Sequence, residues 1–256
     1  MSRADSPLRE RLIFNVGARR SGTYWLQRIV SAHPDVAAVP SETHLFSHGI
    51  APLFERFHHG DRESPQVGSM YIDRERLLDA ARDFCDIAFD TFRGDHEYVA
   101  ERTPLHALHL DLISDIYPDS RIVHIIRDGR DAVRSLTAQR WGPASVAEAA
   151  EEWRAAVSAA RDAGLAPDRY REVRYEEILG APEETIPPIY RWLGLEITEE
   201  VVERGLAAAG EHANVGPSRA AAGLGTRMWE QAWGDRELEE FERVAGDLLR
   251  ELGYPT

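Results

Sequence analysis

Short, almost unbroken apolar runs recur along the 256-residue chain, each followed by a polar or glycine-containing turn and then by a stretch with helical spacing. Leu12–Val16 is the first such run and reads as a buried strand, with a tight turn over Gly17–Gly22 and a helix beginning near Thr23. His33-Pro34 and Val39-Pro40 bracket a second short strand, Val36 to Val39, because a residue before proline is biased towards extended backbone. Tyr98 starts a third strand, and Arg121 to Arg127, with its β-branched core, is the clearest buried strand of all; a helix over Ala132–Gln139 departs from its end. Tyr170 to Leu179 combines a strand with the start of a helix. Helical periodicity marks Asp73–Phe89, Leu105–Ile116, Ser145–Ala163, Pro182–Leu193, Glu199–Ala209 and Asp235–Leu252. Strands alternating with helices predict an α/β architecture around a largely parallel sheet, and the length suits one domain over residues 1–256.

Two of the strand-to-helix turns carry arginines. In the first, Gly17 to Gly22, successive backbone N–H groups and the positive end of the following helix would converge on an anion. The spacing Gly17-x4-Gly22 opens like a Walker A loop, but Thr23 stands where that motif needs lysine, and the positive charge sits in the turn at Arg19 and Arg20. The second turn, Arg127-Asp-Gly-Arg-Asp131, suggests a second anion site. Ser41-Glu-Thr-His-Leu-Phe46 lies just past a strand end, where ligand-facing groups of open α/β sheets gather, so Glu42 and His44 become candidates.

Composition narrows the picture further. A net charge of −14 argues against general affinity for nucleic acid or an anionic membrane. All 30 basic residues are arginine, so any role usually given to lysine falls to arginine. The apolar runs are too short to cross a bilayer, Met1–Arg11 is charged, and the one cysteine, Cys85, excludes an intrachain disulfide or a cysteine-cluster metal site; a cytoplasmic location is expected. Residues 45–100 are rich in aromatics and read as a cover supplying an acceptor pocket, and 212–228 reads as a mobile loop over the donor. Of the remaining histidines, His124 inside its strand is most simply a core residue.

Arg20-Ser21-Gly22-Thr23-Tyr24-Trp25 resembles the 5′-phosphosulfate loop of sulfotransferases, and Arg127 followed by Ser135 resembles their 3′-phosphate motif. His33-Pro-Asp-Val36 with Glu42-Thr43 places the likeness nearest the bacterial group similar to tyrosylprotein and carbohydrate sulfotransferases. The resemblance implies a P-loop-like three-layer sandwich, with helices on both sides of a mostly parallel sheet. It implies the donor 3′-phosphoadenosine 5′-phosphosulfate, the product adenosine 3′,5′-bisphosphate, no metal, and in-line transfer to an acceptor hydroxyl on a small molecule, sugar or tyrosine. Arg19, Arg20, Ser21, Gly22 and Thr23 would then hold the 5′-phosphate. Tyr24 replaces the usual threonine, and Trp25 matches an adenine-stacking tryptophan, with a helix-core role as the equal alternative. Arg127 and Ser135 would bind the 3′-phosphate, Tyr175 would approach the adenine, and Arg219 or Arg227 would close the late loop on the donor. Glu42 would be the general base, with His44 next and His106 a distant third, and Arg102 would stabilise the transferring group. The motifs carry no information on oligomeric state. A P-loop small-molecule kinase is disfavoured by the missing Walker lysine, and a non-catalytic nucleotide-binding module by the joint presence of Arg20, Glu42, Arg127 and Ser135.

Overall fold

The computed structural model describes residues 8–58, 72–213 and 225–255. Most of the expected late loop, including Arg219, and part of the expected aromatic cover lie outside the described residues. Five strands, Leu12–Val16 (β1), Val36–Ala38 (β2), Tyr98–Glu101 (β3), Arg121–Ile126 (β4) and Tyr170–Arg174 (β5), form one sheet in the order β2-β3-β1-β4-β5. Every pairing among them is parallel, with Phe14 opposite Glu101 on one side and opposite Ile122 on the other.

The helices are Thr23–Val30 (α1), Ala51–His58 (α2), Arg74–Arg93 (α3), Leu110–Ile116 (α4), Gly129–Thr137 (α5), Val146–Asp162 (α6), Tyr175–Gly180 (α7), Pro182–Trp192 (α8), Glu199–Ala213 (α9) and Asp235–Glu251 (α10). Alternation along the strands divides the core in two. Leu12, Phe14, Val16, Ile122 and Ile126 face one side, where they pack with residues of α3, α4, α5, α6 and α10. Ile13, Val123 and Ile125 face the other and pack with α1, α8 and α9. Both faces being covered explains why β1 and β4 read as continuous apolar runs. The result is the expected three-layer sandwich.

This topology places the site. From the end of β1 the chain turns into α1 on one face, and from the end of β4 it turns into α5 and α6 on the other. Adjacent strands whose connections leave in opposite directions open a crevice beyond their carboxyl ends, which is where such sheets bind ligands. The two arginine-bearing turns therefore meet there.

Several boundaries differ from the sequence expectation for local reasons. α5 begins at Gly129, three residues before the expected Ala132, because the Asp128 carboxylate accepts the Arg130 N–H at 2.9 Å and caps the helix early. The expected helix from Leu105 splits into a tight 3-10 segment, Pro104–His109, and α4. α3 starts as expected, capped by Asp73, and continues to Arg93. Ser145 caps α6 by accepting the Glu148 N–H.

His124 in β4 is fully buried, and its Nδ1 lies 2.6 Å from the Tyr170 hydroxyl. That hydroxyl donates to Glu172 at 3.1 Å, so Nδ1–H donates to the phenol oxygen. The core reading holds, although among the described residues only one ring nitrogen has a partner. Burial, followed by the charges of Arg161 and Arg174, pushes the imidazole down to about 3. An unfolded histidine titrates near ~6.5, so between these values the unfolded chain binds the extra proton. Stability should thus rise with pH across this window, be fully recovered above it, and be lost as the pH falls towards 3. Urea unfolding of the wild type and His124→Phe between pH 4 and 6 should differ in pH slope by up to about 1.4 kcal/mol per unit; parallel slopes would show that the buried ring is protonated.

Candidate active site

The first turn is shaped by close approach. A Cβ on Gly17 would lie 2.5 Å from the Ile125 carbonyl oxygen of β4, and Gly22, at φ +102°, would bring one to 2.9 Å from the Tyr175 ring. Glycine is required at both, because the turn runs directly beneath β4 and α7. Between them Arg20 holds the left-handed region at φ 70°, a costly conformation for a side-chain-bearing residue that recurs at functional sites. Gly22 caps α1 without a side chain, so the first-turn N–H groups of α1 have no cap acceptor from it.

Three guanidinium groups gather above this turn. Arg20 Nε donates to Ser135 Oγ at 3.0 Å. Arg127, 2% exposed, donates from Nη1 to the Arg20 carbonyl at 3.0 Å and from Nη2 to the Gly225 carbonyl at 2.8 Å, while its guanidinium lies 4.5 Å from the Tyr175 ring centroid. Arg134, one turn along α5, has Nε and Nη2 buried without a hydrogen-bond partner among the described residues. Burial, and then the proximity of Arg127, lowers the basicity of both Arg20 and Arg134; Glu42 works in the opposite sense on Arg20 and Asp131 on Arg134. Ser21 Oγ is also buried and unpartnered among the described residues. Like charges near the two turns, with buried donors unpartnered among the described residues, suit an anion.

The late segment folds over this cluster. Gly225 N donates to the Tyr175 hydroxyl at 3.2 Å, and Trp229 N to Asp131 Oδ1 at 3.0 Å. Asp131 is fully buried, and burial raises its carboxyl. Arg130, held bidentately by Asp128, lies 4.2 Å from the Trp229 ring centroid.

A second group stands at the ends of β2 and β3. Glu42 lies 3.3 Å from His44 Nε2 and 3.6 Å from Arg102 Nη1. Arg102 sits 4.7 Å above the Tyr24 ring, and His44 stacks on His48 with centroids 4.6 Å apart. Glu42 and His44, separate candidates for a base in the sequence, thus form one pair. At 38% side-chain exposure Glu42 is open to an incoming group.

Several residues stand elsewhere than the resemblance implies. Arg19 engages Glu152 of α6 and lies over Trp141, at 5.3 Å. Trp25 is 1% exposed, donates to the Ala209 carbonyl of α9 and packs edge-on against Tyr175, so it serves the core and leaves no indole surface for a stacked base. Tyr24 is half exposed, with the Arg102 guanidinium over its ring. Arg227 is exposed and pairs with Glu230. His106 is fully buried: its Nε2 accepts the Phe46 N–H, its Nδ1 faces Glu101 at 3.0 Å, and neither nitrogen remains for a substrate.

Sequence reasoning missed Arg134 and Glu101. Arg134 lies within the run from Arg127 to Ser135, and only its position on the α5 face shows its direction. Glu101 ends β3 as Glu42 follows β2, and the same strand-end argument applies to it. Burial would raise the Glu101 carboxyl, but the adjacent His106 and hydrogen bonds from His106, Thr103 and Thr43 overcome this and hold it below the usual carboxylate range.

The model of the sulfotransferase family matches residues 13–199, more than half of the chain. A putative protein-tyrosine sulfotransferase of Caenorhabditis briggsae is 26% identical over 260 residues, covering 96% of this chain and 90% of the relative. Among solved structures, sulfotransferase STF9 of Mycobacterium avium superposes with a TM-score of 0.62 at 15% identity, covering 99% of this chain and 79% of the other. Mouse sulfotransferase SULT7A1, solved in complex with PAP, gives a TM-score of 0.57 at 14% identity, covering 98% of this chain and 93% of its own. The two solved structures share the fold, and the family match extends from β1 into the start of α9, across both arginine turns and the Glu42 pair. With the two arginine-bearing turns meeting at the β1/β4 switch point, the family match makes the chain an enzyme of the sulfotransferase family.

Proposed function

We propose that this enzyme moves the sulfuryl group of 3′-phosphoadenosine 5′-phosphosulfate to an acceptor hydroxyl, with Glu42 as the base. The observation that carries the reading is the convergence of Arg20, Arg127 and Ser135 where the two turns meet, with Arg134 close enough to Arg127 to feel its charge. A donor with phosphate groups on both the 3′ and the 5′ carbon of its ribose needs two adjoining anion sites, and two arginine-bearing turns adjoin here. Ser21 Oγ and the two Arg134 nitrogens offer buried donors that such a polyanion would satisfy. The donor, when bound, supplies an activated sulfuryl group.

The chain's own residues divide the work. The turn amides, Ser21 and Thr23 would orient the 5′ end at the start of α1, where the helix dipole favours negative charge. Arg127 and Ser135, with Arg134, would hold the 3′-phosphate. Arg20 reaches Ser135 and feels the charge of Glu42, so it spans the two groups and can offset negative charge gathering on the leaving oxygen. Glu42 would take the acceptor proton. His44 beside it keeps the carboxylate oriented, and Arg102, supported on Tyr24, would counter charge on the transferring group.

Tyr24, Gln27, Arg28, Val39, Pro40 and Ala208 are among the residues lining a groove of about 570 Å³ between α1, the end of β2 and α9, which reaches this edge and offers an acceptor path. A phenolic or sugar hydroxyl, or tyrosine in a peptide, fits the expectation from sequence. We take residues 1–256 to form one catalytic domain, bacterial and cytoplasmic, the last from its lone cysteine. Among the described residues no helix is long and apolar enough to cross a membrane.

Calorimetry tests the donor assignment. Ser135→Ala and Arg134→Gln should each weaken adenosine 3′,5′-bisphosphate by ~1.5–3 kcal/mol, as for lost bonds to a charged group, while barely changing adenosine 5′-phosphate; equal losses for both nucleotides would refute the 3′-phosphate assignment. For the base, turnover is measured with p-nitrophenol, a tyrosine peptide and methyl glucoside as probe acceptors. Glu42→Gln should lower kcat by roughly 10²–10⁴ with adenosine 3′,5′-bisphosphate binding intact. Unchanged turnover would remove Glu42 from that role.

A further inference from the structure

Glu101 is fully buried at the end of β3, yet it is a carboxylate surrounded by donors. Its Oε1 accepts from Thr43 N at 3.3 Å, Thr43 Oγ1 at 2.9 Å and Thr103 Oγ1 at 2.5 Å, and its Oε2 from Thr103 N at 3.0 Å. His106 completes the set. Because its Nε2 accepts the Phe46 N–H, its proton resides on Nδ1 and is donated to Glu101 Oε2 at 3.0 Å. Two further bonds extend the network into the same loop: His44 N donates to Thr103 Oγ1 at 3.2 Å, and Leu45 N to Thr43 Oγ1 at 3.2 Å. Every backbone N–H from Thr43 to Phe46 is thereby fixed to Glu101 or to a residue bonded to it. The segment so held carries Glu42 at its entrance and His44, at φ 51°, within it.

We propose that Glu101 is a positioning residue of the transfer reaction, acting through Thr43 and Thr103 to fix the backbone that aims the Glu42/His44 pair. The proposal rests on the reading of Glu42 as the base. Two of the donors are hydroxyls and two are backbone amides, so an ionised carboxylate, with its several lone pairs, is the acceptor that can satisfy them together with an imidazole N–H. A glutamine has only one carbonyl oxygen and would turn N–H groups towards donors. Relief by a change of His106 tautomer is blocked, since a proton on Nε2 would face the Phe46 N–H. The loop would then lose one or more of its anchors, and a shift of about 1 Å at a reacting group can cost roughly 10²-fold in rate.

The test is a double-mutant cycle with turnover measured on the probe acceptor that the wild type uses. Glu101→Gln should lower kcat by roughly 10–10²-fold, leave adenosine 3′,5′-bisphosphate affinity within about twofold, and in a Glu42→Gln background cost no more than about threefold further. Thr43→Val should follow the same pattern, and Thr43→Ser, which keeps the hydroxyl, should restore most of the rate. Full additivity of Glu101→Gln with Glu42→Gln, a parallel loss of nucleotide affinity, or unchanged kcat would overturn the positioning role. Unchanged kcat in Glu42→Gln alone would instead remove the base on which the proposal depends. Should Glu101→Gln fail to fold, the Thr43→Val and Thr43→Ser pair decides by the same criteria.

Discussion

The hydrogen bond from Arg127 Nη1 to the Arg20 carbonyl joins the two halves of the site. It exists because β1 and β4 are neighbours, so the turns that leave them lie side by side although more than a hundred residues separate them in the chain. The bond also fixes the Arg20 peptide, whose left-handed conformation points the side chain towards Ser135 on the opposite helix. Gly17 and Gly22 let the turn pass under β4 and Tyr175 closely enough for the bond to form.

Collecting guanidinium groups in a partly dry crevice costs free energy, and their lowered basicity registers that cost. Carbonyl dipoles and the face of Tyr175 offset part of it at Arg127. Arginine suits the task better than lysine would. Its delocalised charge tolerates weak hydration, stacks on an aromatic ring and stays protonated under desolvation. A chain without lysine can therefore keep the positive charge of this site intact.

The acidic residues show a complementary division. Glu101 is buried, saturated with donors and held below the usual carboxylate range, which makes it an anchor for the loop around it. Glu42, on the loop that Glu101 holds, is exposed and pairs with His44 and Arg102. A rigid carboxylate behind an exposed one gives the loop its geometry and leaves Glu42 open to a ligand.

Much of this was legible in the chain. Continuous apolar runs marked β1 and β4, since strands of a parallel sheet buried on both faces carry no polar alternation, and flanking prolines marked β2; the arginine turns followed as anion sites from backbone and charge alone. The pairing of Arg20 with Ser135, the inward direction of Arg134, the turning of Arg19 towards Glu152 and the burial of Trp25 beneath α9 were not legible, because each depends on which helix face meets which neighbour. The same holds for Glu101. Sequence shows an acidic residue at a strand end, but only the register of β3 between β2 and β1 turns one such carboxylate inward to four donors and an imidazole while the other remains at the surface. Sequence by itself determined the alternation of strands and helices and the anion-suited turns, since these follow from periodicity and charge. Tertiary structure decided which residues of each motif meet at the site, because contacts between distant segments are set by strand order and helix rotation.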